Sequence, residues 1–87
     1  MTRPNILERF MNNIDPNPTP QGCLLWRGSK TDTGYGIFWM NGRHERAHRY
    51  CYQLSKGYIP YETYVRHSCG NRDCVNPDHL YIQKLYD

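Results

Sequence analysis

Three residues at even spacing, Cys69-x4-Cys74-x4-His79, put two thiols and an imidazole into one short stretch. Thiolates and neutral imidazoles are the usual ligands of structural zinc, which takes four of them in a tetrahedron. The spacing is unlike that of a ββα finger, whose cysteines stand closer together and whose histidines follow after a longer run. It predicts a tight knuckle that draws its fourth ligand from elsewhere. Cys23 and Cys51 are the remaining cysteines. Cys23 opens a strand-like run after a turn and is the better candidate, whereas Cys51 sits within a helical pattern and suits a buried free thiol. The competing reading of four cysteines is a pair of disulfides in a secreted chain.

His67 stands two residues before Cys69. In an extended segment that spacing sends both side chains to one side, and a metal in the loop would fix both. A near-neutral pKa fits such an imidazole to take a proton from water as a general base, although a lone histidine more often packs or caps. Arg49 is the second candidate, because a guanidinium pairs well with phosphate; the plainer reading is a helix-terminal cation. His48 beside it reads as a packing or hydrogen-bonding residue.

The elements that must position these groups can be read from pattern. Ile6, Leu7, Phe10 and Met11 have helical spacing, and Pro16, Pro18 and Pro20 then enforce an extended connector. Cys23 to Trp26 and Tyr35 to Met40 are rich in strand formers, and Asn41-Gly42 turns Tyr35 to Ala47 into a hairpin. His48 to Lys56 reads as a helix stopped by Gly57, and Thr63 to His67 as a strand. Ser68 to Pro77 is a loop in which Asn71 and Asn76 shape the turns. His79 to Ile82 is a short ordered segment, and Gln83 to Asp87 the first turn of a helix or a frayed tail. The result is a small α+β fold: residues 1–22 form an N-terminal helix and proline-rich connector, and residues 23–87 a zinc-containing domain.

At 87 residues with 38% hydrophobic content, a core alone barely offsets chain entropy, so a staple is expected. No apolar run approaches the ~20 residues of a membrane span, and the start lacks the apolar stretch of a signal peptide. An intracellular, reducing setting and a metal are therefore expected rather than disulfides. A net charge of +3 is compatible with nucleic acid without demanding it. The eight tyrosines read mostly as core material in a polar chain.

The block Val65-Arg66-His67-Ser68-Cys69-Gly70-Asn71-Arg72-Asp73-Cys74-Val75-Asn76-Pro77-Asp78-His79-Leu80 resembles the HNH endonucleases of phage and intron origin. It is most similar to their zinc-containing branch, related to the His-Cys box homing endonucleases. Cys23-Leu24-Leu25-Trp26-x-Gly28, Gly34-Tyr35-Gly36-x-Phe38 and Ala47-His48-Arg49 look like that family's lead-in, so the similarity runs from about Cys23 to Leu80. The resemblance implies a ββα-metal, or His-Me finger, fold. By it, His67 matches the general base and Arg49 an arginine near the scissile phosphate, while Cys23, Cys69, Cys74 and His79 match the structural zinc ligands.

The same resemblance implies a DNA endonuclease or nickase that hydrolyses phosphodiester bonds with magnesium or manganese; a lone domain of this size has few base-reading elements, so sequence preference would come from a homodimer, an added module or a protein partner. One departure stands out. The family carries an asparagine on the closing helix, past the last zinc histidine, that helps hold the catalytic magnesium; counted from His79, its place falls just beyond Asp87. Asp87 is the nearest oxygen ligand, though one position early on a helix points it roughly 100° away. Two further readings follow: a non-cleaving module of HNH fold that binds DNA or a host protein, and a piece of a longer nuclease.

Overall fold

The structure is a computed structural model that describes residues 5–85. The first helix, α1 (Ile6–Asn12), starts where the Asn5 side chain accepts a hydrogen bond from the Glu8 backbone N–H at 2.8 Å. Its inward residue is Phe10, whose ring packs against Trp26, Phe38 and Tyr50 with centroids 5.3, 5.4 and 4.9 Å away. Leu7 and Met11, at the same helical spacing, remain exposed.

The run from Cys23 to Trp26 was expected to be a strand, and instead it makes two isolated bridges, Ile14 with Trp26 and Leu25 with Cys74. The proline-rich connector explains why. Ile14 and Asp15 can pair alongside it, but Pro16, Pro18 and Pro20 have no N–H with which to continue a ladder.

The first hairpin joins β1 (Ile37–Met40) to β2 (Arg43–Arg46) in antiparallel register, Ile37 opposite Arg46 and Met40 opposite Arg43. Asn41 and Gly42 both have positive φ, 52° and 84°, as the tight two-residue turn requires. The chain then enters α2 (Ala47–Lys56) directly, with the Ala47 N–H bonded to Gly36 O at 2.8 Å. Ala47, His48 and Cys51 face inward, and the Cys51 thiol donates to Val75 O at 3.0 Å. Cys51 is thus a buried thiol apart from the other cysteines, and burial raises its pKa.

The second hairpin pairs β3 (Thr63–His67) with β4 (Leu80–Lys84), Thr63 opposite Lys84 and His67 opposite Leu80. Between them runs the ligand-bearing loop, closed by a 3-10 turn at Pro77–His79 that Asn76 caps by accepting from the Asp78 N–H. Gln83 and Lys84 therefore belong to a strand and not to a helical turn, because β3 needs an antiparallel partner for its backbone groups. The core gathers Phe10, Phe38, Ala47, Cys51, Val65, Val75 and Leu80 from both hairpins and both helices, with Trp26 from the bridged run before them. Among the described residues, no helix is long and apolar enough to cross a membrane.

Candidate metal centre and basic cleft

Cys23, Cys69, Cys74 and His79 converge, their ligand atoms all within 4.8 Å of one another. Folding brings Cys23 to the knuckle by bridging Leu25 to Cys74 and by hydrogen-bonding the Val75 N–H to Leu24 O at 2.7 Å. His79 Nδ1 lies 3.6 Å from Cys23 Sγ and 3.5 Å from Cys74 Sγ. Zinc bonds of about 2.3 Å to sulfur and about 2.0 Å to nitrogen, at tetrahedral angles, set those atoms about 3.5 Å apart. The cluster could hold a metal ion, and its geometry is compatible with structural zinc.

Hydrogen bonds to two of its sulfurs favour their charged form. The Asn71 amide donates to Cys23 Sγ at 3.2 Å, and the Asn76 N–H to Cys74 Sγ at 3.5 Å. Asn71, read from sequence as a loop-shaping residue, is thus turned onto a ligand. Burial acts to raise the Cys23 thiol, but hydrogen bonds led by that of Asn71 outweigh it and bring its pKa down. Burial pushes Cys74 up, aided by the neighbouring Cys69 and Cys23 thiols. Crowded thiols cannot all ionise together unless a cation neutralises them, which is the condition metal binding meets. The cysteines are free thiols in the structure, with no disulfide among them.

His67, at the end of β3, bonds through Nε2 to Cys74 O at 3.0 Å. A carbonyl only accepts, so Nε2 carries the proton and Nδ1 keeps a lone pair. Burial presses His67 below the ordinary imidazole range, against the opposing effects of the Cys74 carbonyl and Asp73. Its ring lies 4.8 Å from that of His48, which stacks on Tyr35 at 5.3 Å. His48 is buried, its Nδ1 has no hydrogen-bond partner, and its pKa falls to about 4 through burial first and then the charges of His67, Arg49 and Arg46.

A cleft of about 420 Å³ opens over Tyr35 and His48, lined also by Arg46, Arg49, Tyr64 and Arg66, and His67 lines an adjoining groove of about 440 Å³ with Tyr35, Arg66 and Arg72. Arg46 and Arg72 lie over the Tyr35 ring at 5.1 and 5.4 Å, and Arg66 over Tyr64 at 5.5 Å. Arg49 is held at the edge by donating to Thr63 O at 3.3 Å. The two ion pairs among the described residues, Lys30 with Asp73 and Arg43 with Glu45, involve none of these arginines. Their charge is therefore free for an anionic ligand. Of the residues singled out from sequence, Arg49 lines the cleft and His67 the adjoining groove, joined there by Tyr35, Arg46, Arg66 and Arg72, whose meeting depends on the packing of the two hairpins. The Gly34-Tyr35-Gly36 motif was the available signal.

Asp87 lies outside the described residues. Among those described, the group of side chains that could hold a metal ion is the Cys3His cluster.

The HNH endonuclease family model matches residues 45–82. Among curated proteins, Protein 7.7 of Escherichia phage T7 is 37% identical over 60 residues, covering 69% of this chain and 46% of the relative. Protein 2.8 of the same phage is 35% identical over 80 residues, covering 92% of this chain and 51% of the relative. The chain thus spans about half the length of the curated relatives it matches. No solved structure matches. Since α2, β3, the ligand loop and the start of β4 all fall inside the matched residues, the part of the chain that carries the candidate site is similar to HNH endonucleases, and the chain is similar to two proteins of phage T7.

Proposed function

We propose that this HNH-type chain is an intracellular, zinc-stabilised nuclease that hydrolyses phosphodiester bonds in DNA. In this reading Cys23, Cys69, Cys74 and His79 hold structural zinc, His67 is the general base and Arg49 binds the phosphate. The observation that carries it is the placement of His67. Its Nε2–H is committed to Cys74 O, next to the ligand cluster, which leaves Nδ1 with its lone pair, and the residue lines a groove with Arg66 and Arg72 that shares Tyr35 and Arg66 with the arginine cleft.

The cleft residues divide the work. Arg46, Arg49 and Arg66 neutralise and orient a phosphate, and the neutral imidazole of His67 takes a proton from the attacking water. Buried His48 walls the site against bulk water. Magnesium or manganese, where present, supplies stabilisation of charge on the leaving oxygen.

A second reading is an HNH-fold module that binds DNA or a host protein without cutting. Nicking of supercoiled plasmid by zinc-loaded protein with added magnesium or manganese separates the two. The nuclease reading expects wild type to nick and His67→Ala to lose about 10²–10⁴-fold in rate, the usual contribution of a general base. Equal nicking by both removes His67 from its role, and no nicking by wild type leaves the binding module.

A further inference from the structure

We propose that the loop between α2 and β3 is a stacking site for unpaired nucleobases, so that the chain takes single-stranded DNA alongside its basic cleft. The inference rests on reading that cleft as a nucleic-acid site, but not on cleavage.

Tyr58 is 82% exposed and Tyr61 87%, with Tyr64 beside them at 51%. Large aromatic rings ordinarily bury most of their area, and several of them exposed together mark a binding surface. These tyrosines are the ones that depart furthest from the core role expected of them in the sequence. Their loop is not a loose one. Ile59, between the two rings, is anchored in the core, and Pro60 fixes the backbone beyond it. The turn is tied down by Leu85 N–H bonding to Glu62 O at 2.9 Å and by the Thr63 hydroxyl bonding to Tyr61 O at 3.3 Å. Glu62 itself sits at a φ of 59°, a strained conformation that the surrounding contacts hold.

The rings border a groove of about 470 Å³ whose lining includes Arg49, Tyr58, Tyr61, Tyr64, Glu62 and Leu85. Arg49 and Tyr64 also line the arginine cleft, so groove and cleft share a wall. A backbone seated on Arg46, Arg49 and Arg66 would bring its neighbouring bases over the tyrosines. Positive charge tracking the backbone with aromatic rings beside it is the arrangement that binds single strands. A duplex has no base faces to offer these rings, since its bases already stack on one another. The arginines outnumber Glu62, which complements a polyanion better than a neutral apolar partner.

Fluorescence anisotropy with labelled oligodeoxythymidine, alone or paired with oligodeoxyadenosine, tests this in zinc-containing buffer without magnesium. Wild type should bind the single strand at least tenfold more tightly than the duplex. Tyr58→Ala combined with Tyr61→Ala should weaken single-strand binding at least tenfold and leave duplex binding within about twofold. The corresponding phenylalanine pair should bind as wild type, because stacking needs the ring and not the hydroxyl. Unchanged zinc content and thermal transition in the variants show that they fold. Equal loss on both substrates, or no loss on either, overturns the proposal. Sedimentation as a dimer that the alanines convert to monomer also overturns it, by giving the patch to a second copy. A chain that nicks plasmid but fails these arms loses only this inference; one that passes them and never nicks loses only the nuclease reading.

Discussion

Below the ordinary range of imidazole, His48 becomes a source of instability. The unfolded chain takes up its proton near 6.5, and the folded chain only near 4, because the charged ring would be buried beside His67, Arg49 and Arg46. Between those values the unfolded state binds more protons, so stability is intact above 6.5 and is lost as pH falls towards 4. The full loss is up to roughly 3 kcal/mol. His48→Phe keeps a ring against Tyr35 and cannot titrate. In urea unfolding of the zinc-loaded proteins, wild type should lose more stability than His48→Phe on going from neutral to acid pH. Thiol protonation acts on both alike, so parallel losses would exclude His48 as the sensor. The sequence already suggested that His48 packs. It could not show against what, since Tyr35 and His67 arrive from other elements. The ligands were more legible, because three of the four share one loop and Cys51 carries a helical context that separates it from Cys23.

Elements were legible where local chemistry and tertiary packing agree. Asn41-Gly42 dictates its hairpin, and the alternation of Thr63 to His67 survives as buried Thr63 and Val65 with exposed Tyr64 and Arg66. β4 was not legible, since Gln83 and Lys84 are poor strand formers and Leu80 is its one buried residue; it exists by pairing with β3. Gly36, just before the first hairpin, is closely packed under Trp26 and the start of α2. A Cβ on Gly36 would lie 2.6 Å from Trp26 Cδ1 and 3.1 Å from Ala47 Cβ. Gly36→Ala should therefore cost roughly 1–3 kcal/mol as the indole is displaced. Denaturant unfolding checks this, and a neutral result would mean that Trp26 has room to move.

For the molecule as a whole, the proposed metal decides whether there is a fold at all. Structural zinc contributes about 10–16 kcal/mol in finger peptides, comparable with the roughly 5–15 kcal/mol that holds an ordinary domain together. Chelation should abolish the cooperative thermal transition, followed by circular dichroism, and one equivalent of zinc should restore it. A chelated chain that still melts cooperatively would show that the core suffices. The position of Cys23 adds a consequence for how the chain reaches this state. Cys69, Cys74 and His79 lie within residues 69–79, so metal can gather them at little cost in loop entropy, whereas recruiting Cys23 closes the long segment containing the first hairpin and α2. If zinc is the ligand, the knuckle would form first and Cys23 would act as the latch, drawing Trp26, with Phe10 packed on it, into the core.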